Sequence, residues 1–268
     1  MSEKIARVAY RLDKSPVTYD FLTFLALTEK LRREQGIDKI VLALVPGVRQ
    51  WSAREAVMTD ARRAWRSDVL LPDLATLLPS CIGVVRGDPA KDEQTIPYNV
   101  APYPFGNYLD GPARMQALIP FSEIYITLTV RQSWFQPERD TQPLWNGLIP
   151  QLGLPVVVVP DTEAEMVGEP CRITVGKLYA AAAFNAGLRF ALYRKARLNL
   201  FTSGGPLVMA TYSDLPAEAF GLHVPQYQAC GSDHLNQIGL HDGRQVQNTR
   251  FHWAQDSDTI LTAVRERL

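Results

Sequence analysis

Three places along the chain put residues that handle anions or sugar hydroxyls just after an apolar run. Arg131 follows Ile124–Val130 (IYITLTV). Asp161 lies one proline beyond Val156–Val159 (VVVV), and Ser203-Gly204-Gly205-Pro206 follows Leu198–Thr202. An arginine presents a rigid fork of donors that matches a diphosphate. An aspartate at a strand end can accept from ribose hydroxyls. A turn of small residues between a strand and a helix offers unpaired N–H groups and a positive helix end, a common cradle for phosphate. Its glycines let a ligand approach the backbone closely, and Pro206 suits the first turn of the helix. Thr202 opens this turn, and Arg139, in FQPERDTQ, can add a second cation. Each feature also has a plainer reading: Arg131 in a surface ion pair, Asp161 as an Asx turn, the glycines as a ligand-free turn.

The elements that must position these residues follow from hydrophobic periodicity. Ile5–Tyr10 is a short strand. Tyr19–Gln35 has apolar residues at 21, 22, 24, 25, 27 and 31 and ends on Lys30, Arg32, Arg33 and Gly36, the pattern of a core-facing helix with cations at its negative end. Ile40–Val45 reads as a parallel strand covered on both faces. A helical stretch over Arg54–Leu78, in two pieces parted near Pro72, precedes a third strand at Cys81–Val85. Gly87–Gly111, with four prolines among its aromatics, keeps no periodicity. It is expected to connect two halves, its aromatics either packing in the seam or bordering a cleft. The second half reads as strand 124–130, helix 144–152, strand 156–159, a long alanine-rich helix over Val175–Ala196, strand 198–202 and a further helix. A polar stretch from Phe220 to Arg250 holds a short strand near Leu222–Val224. Asp258–Leu268 is a final helix capped by Asp256 or Ser257. The expected fold is α/β, two Rossmann-like domains (1–111 and 112–268) with a cleft between them; a single large sheet with 87–111 as an insertion is the competing architecture. The three chemical features then share the carboxyl edge of one parallel sheet, where such folds bind ligands.

The totals narrow the function. Lysine plus arginine and aspartate plus glutamate both number 28, a balance unlike that of a general nucleic-acid or anionic-membrane binder. Cys81, Cys171 and Cys230 are widely spaced, as in a reduced cytoplasmic protein, and form no zinc motif. The N-terminus has no long apolar run. The most apolar window, Leu178–Leu192, contains Asn185 and Arg189 and is too short for a transmembrane segment. There is no GxGxxG after the first strand, no Walker A loop and no HExxH. Asp256-Ser257-Asp258 reads as a helix cap before it reads as a metal pair, so no metal or other cofactor is expected. Trp134, beside Arg131, is the tryptophan placed to stack on a ligand, with packing as the alternative.

The segments TLTVRQSWFQPERDTQPLW, LGLPVVVVPDTE and ALYRKARLNLFTSGGPLVMATYSDLP resemble the carboxyl-terminal domain of GT-B glycosyltransferases, nearest to the fucosyltransferase-like group. The resemblance covers about half the chain, mainly residues 124–216. It implies a transferase that moves a sugar from a nucleotide-diphosphate sugar to a glycan or related acceptor in bacterial surface-polysaccharide assembly. Arg131 would neutralise the diphosphate, and Ser203, Gly204 and Gly205 would contact it. In that arrangement the edge of the first domain faces the acceptor, which brings Asp13, Tyr19 and Asp20 into play. An inverting transfer needs a general base there. Asp20 is preferred to Asp13 because a helix-anchored group is better positioned; Asp20 also reads as an ordinary first-turn acid after Thr18. The chain departs from the group at Thr129-Val130-Arg131, where the group usually has His-x-Arg, and Gln132-Ser133 follow in place of an acidic residue. That departure favours the alternative, a non-catalytic module binding a nucleotide or a partner through the same fold. Oligomeric state is not legible.

Overall fold

The computed structural model describes residues 3–48, 58–133, 136 and 139–268. Trp134 and the first residues of the expected Arg54–Leu78 helix lie outside the described residues. Two parallel sheets organise the chain. The first is three-stranded, in the order β1 (Ile5–Arg11), β2 (Lys39–Val45), β3 (Cys81–Arg86). The second has seven strands: β4 (Ile126–Thr129), β5 (Val156–Val159), β6 (Lys177–Leu178), β7 (Leu198–Thr202), β8 (Ala217–Phe220), β9 (Gln245–Val246) and β10 (Thr249–Phe251). Their order is β6-β5-β4-β7-β8-β10-β9, with only β9 antiparallel. The uninterrupted apolar runs became central strands: every residue of β4, β5 and β7 is buried.

Helix Phe21–Glu34 joins β1 to β2 and buries Phe21, Leu22, Phe24 and Leu25. The next helical stretch has no break at Pro72. Asp60–Trp65 runs into a wide π-type turn over Arg66–Leu70 and on to Leu71–Ala75, with Pro72 accommodated in the opening turn of that last piece. Val175–Ala196 is not one helix. Gly176 takes φ +92, Lys177–Leu178 pair with β5, and Ala180–Ala183 form a 3₁₀ turn. The helix proper is Ala186–Lys195, started by Asn185, whose Oδ1 accepts from the Leu188 amide at 2.7 Å. In the polar stretch, the strand expected at 222–224 lies earlier, as β8, and β10 and helix Ser232–Ile238 appear beside it. The last helix, Ser257–Arg267, is capped by Asp256, whose Oδ1 accepts from the Thr259 amide at 2.9 Å.

The two Rossmann-like units meet over a continuous core. Tyr10, Phe21 and Phe24 of the first share one apolar cluster with Phe190, Tyr212 and Leu215 of the second. Residues 87–111 run through that seam: the Tyr103 amide reaches the Ile238 carbonyl (3.0 Å), those of Tyr108 and Leu109 reach the Tyr212 carbonyl, and that of Asp110 reaches Leu77. The aromatics Tyr98, Tyr103, Phe105 and Tyr108 pack against the core, so this stretch is a packed connector. Arg66 and Glu163, 97 residues apart, form a buried ion pair across the seam, and Arg66 also donates to the Val17 carbonyl at 2.7 Å. Among the described residues, no helix is long and apolar enough to cross a membrane.

Candidate functional site

The carboxyl edge of the second sheet and the start of helix Phe21–Glu34 in the first unit border one cavity of about 380 Å³. Nine of the candidate residues line it: Tyr19 and Asp20 from the first unit, and Arg131, Arg139, Asp161, Thr202, Ser203, Gly204 and Gly205 from the second. Asp13 does not. Arg66, Glu163 and Tyr103, which sequence reasoning passed over, line it as well. Arg66 faces inward from the π-type turn, a local widening of the helix that recurs at functional positions.

At the edge of the second sheet, Arg131 lies beyond the end of β4, nine per cent exposed. Its Nη1 donates to the Gln136 carbonyl at 2.7 Å. Arg139 donates to the Oε1 of the same Gln136 (2.9 Å) and to Ser203 Oγ (2.7 Å). Gln136 therefore holds both arginines, one through its backbone and one through its side chain. It does so at φ +60, a conformation few non-glycine residues adopt. No periodicity or motif marks this residue; only the fold makes it legible.

The glycine turn has two different glycines. A Cβ on Gly205 would lie 2.5 Å from the Tyr19 ring, so the absence of a side chain is what lets the two units touch there. A Cβ on Gly204 would meet only ordinary contacts, the nearest being the Thr202 carbonyl at 3.7 Å. The Leu207 amide reaches back to the Gly204 carbonyl at 3.3 Å. Thr202 Oγ1 ties the turn to β4 through the Thr129 carbonyl (3.4 Å). Tyr19 is fixed from behind by the buried Arg189, whose Nη1 donates to its hydroxyl at 3.1 Å.

Asp161 caps helix Thr162–Met166: its Oδ1 accepts from the Glu163 amide (2.9 Å) and, more loosely, from that of Ala164 (3.4 Å). The Asx-turn reading is thus realised, while the residue still borders the cavity. Burial pushes its carboxyl above the ordinary range. The two acids of the first unit differ. Asp13 is gripped by Arg11, Nε to Oδ1 at 3.0 Å and Nη2 to Oδ2 at 2.9 Å, which holds its carboxyl below the ordinary range. Asp20 is exposed to the cavity and receives one short hydrogen bond from Thr18 Oγ1, 2.6 Å. Among the described residues, no group of three or more histidines, cysteines and acids is placed to hold a metal ion.

Two Rossmann-like units facing a cleft define the fold of GT-B glycosyltransferases. The chain is similar over 99% of its length to a family 9 glycosyl transferase from Veillonella parvula, with 12% identity, 90% of that chain covered and a TM-score of 0.50. It is also similar to two heptosyltransferases of E. coli. WaaC with ADP has 13% identity, coverage of 98% and 100%, and a TM-score of 0.46; ADP-heptose LPS heptosyltransferase II has 12%, 98% and 98%, and 0.45. No family model and no curated protein matches the sequence. At such identities the likeness is one of fold.

Proposed function

We propose that this chain transfers a sugar from a nucleotide-diphosphate sugar to a glycan or related acceptor, without a bound metal. The observation that carries the reading is the convergence of two clamped arginines, the glycine turn and Asp20 on one cavity between the units. The diphosphate lies against Arg131, Arg139 and the amides of the turn, where fixed donors meet the charge that grows on the leaving group. Asp161 faces the ribose, and Tyr19 borders the sugar. The acceptor hydroxyl oxygen attacks the anomeric carbon as its proton passes to the Asp20 carboxylate, and the electrons of the broken C–O bond leave with the nucleoside diphosphate. Residues 1–111 form the acceptor-side unit and 112–268 the donor-side unit. The local pattern around 124–216 supports a likeness to the fucosyltransferase-like group, and with it a cytoplasmic role in surface-polysaccharide assembly.

The departure from His-x-Arg at Thr129-Val130-Arg131 favours a second reading, a non-catalytic module that binds a nucleotide or a partner in the same cleft. Thermal-shift measurements with ADP, UDP and GDP and their sugars separate the two. Stabilisation by a nucleotide sugar with slow hydrolysis supports the transferase. Stabilisation without turnover supports the module, and no stabilisation by any of them overturns both.

A further inference from the structure

Beside the cleft lies a second cavity of about 460 Å³, walled off by Arg139 and Ser203, which line both. Its size falls within the roughly 300–1,000 Å³ of small-molecule sites. The floor is rigid, because the backbone ladder of β8 and β10 continues beneath it. The Gly221 amide donates to the Ala254 carbonyl (3.0 Å) and the His223 amide to the Trp253 carbonyl (3.3 Å). Trp253 is pinned at both ends: its amide donates to Asp242 Oδ1 and its indole N–H to the Leu240 carbonyl, each at 2.8 Å. The His223 ring lies against the indole, centroids 5.2 Å apart and planes at 31°. Gln255 spans the wall to Thr141, Nε2 to Oγ1 at 2.6 Å. Its side chain packs where Gly221, at φ +71, has no Cβ.

The chemistry of this lining differs from that of the cleft. Among the described residues around it, the lone lysine or arginine is Arg139, already bonded to Ser203, and Asp242 brings a carboxylate. A second phosphate would meet that negative charge. A nucleobase gains most from a slot open on both sides, and His223 already covers one face of Trp253. A sugar ring needs one aromatic face for its C–H groups, with carboxylate and amide oxygens to accept from its hydroxyls.

We infer that the second cavity, lined wholly by the second unit, binds a sugar ring of a neutral glycan. This sugar binding does not rest on the transferase reading above.

Saturation-transfer NMR on the full chain tests this, with the methyl α-glycosides of glucose, galactose and mannose as probes and uridine and adenosine alongside. At least one glycoside should receive saturation. Its affinity should fall about tenfold in Asp242→Asn, the weight of one hydrogen bond to a charged group, and also in His223→Ala. Asparagine retains the acceptor for the Trp253 amide, so the first variant carries the test if the second fails to fold. Arg131→Ala and added inorganic pyrophosphate should leave glycoside binding unchanged. The inference falls if no glycoside receives saturation, if both variants bind like the parent, or if only a nucleoside binds and the variants abolish that. Stabilisation by nucleoside diphosphate is read separately by melting. Its loss with glycoside binding intact overturns the transferase reading alone, and the converse overturns the sugar site alone.

Discussion

The carboxyl edges of the two sheets are built from the same strand–helix grammar and carry different chemistry. On the second, β4, β5 and β7 deliver Arg131, Asp161 and the glycine turn to one cavity, and Gln136 draws Arg139 in beside Arg131. On the first, Asp13 is paired with Arg11 two residues away and stays outside the cavity, which Tyr19 and Asp20 at the helix start border. The two edges differ in how their charged groups are held: Gln136 fixes both arginines at the second, and Arg11 takes up Asp13 at the first. Arg131 and Arg139 line the cavity from the second edge, and Asp20 lines it from the helix that follows the first strand.

The largest effect that sharpens this contrast is expected at the acids. In an assay with the donor identified by thermal shift, Asp20→Asn should lower turnover by about 10²–10⁴, the weight of a general base, while Asp13→Asn should leave it near the parent. Equal losses in both would erase the distinction. Next, Arg131→Ala should lower turnover by about 10²–10³ with little change in melting temperature, and Arg131→Lys should recover only part, having the charge without the fork. Normal stabilisation of the alanine variant by nucleoside diphosphate would remove Arg131 from the site. The seam should respond in stability: Glu163→Gln leaves Arg66 buried without its counter-charge, at a cost of about 3–5 kcal/mol by denaturant unfolding.

Limited proteolysis tests the boundary. Early cuts should fall within 87–111 and leave two fragments that stay associated through the shared core. Cuts confined to the termini would argue for one indivisible unit. The smallest effect concerns pH. Burial raises the Asp161 carboxyl above its ordinary value of 3.8, so the folded chain holds that proton more tightly than the unfolded chain. Its contribution to stability is therefore present below that value and lost as pH rises through the folded value. Asp161→Asn keeps the cap and should flatten that part of the stability profile, as followed by thermal melts across the acid range.

The sequence by itself determined the parallel strands and the line of chemistry along them. Runs such as VVVV and IVLALV have no stable place except inside a covered sheet, and a residue that follows such a run must emerge at its edge. A cap at Asp256 or Ser257 was legible locally, and the structure selects Asp256. Tertiary structure alone decided the rest, because the deciding partners are distant in sequence. Strand β8 escapes the hydrophobic pattern since it buries Glu218, which is tolerated only where Arg250 (3.0 Å), His252 (2.6 Å) and Arg267 (3.3 Å) converge on it. Val175–Ala196 has the composition of one helix, yet β5 recruits Lys177–Leu178 as an edge strand and Asn185 starts the helix late. The second cavity exists because β8 and β10 bring His223, Asp242 and Trp253 together across residues that show no common period. Periodicity reports which face a residue takes; only the packed chain reports which distant charge or ring it meets there.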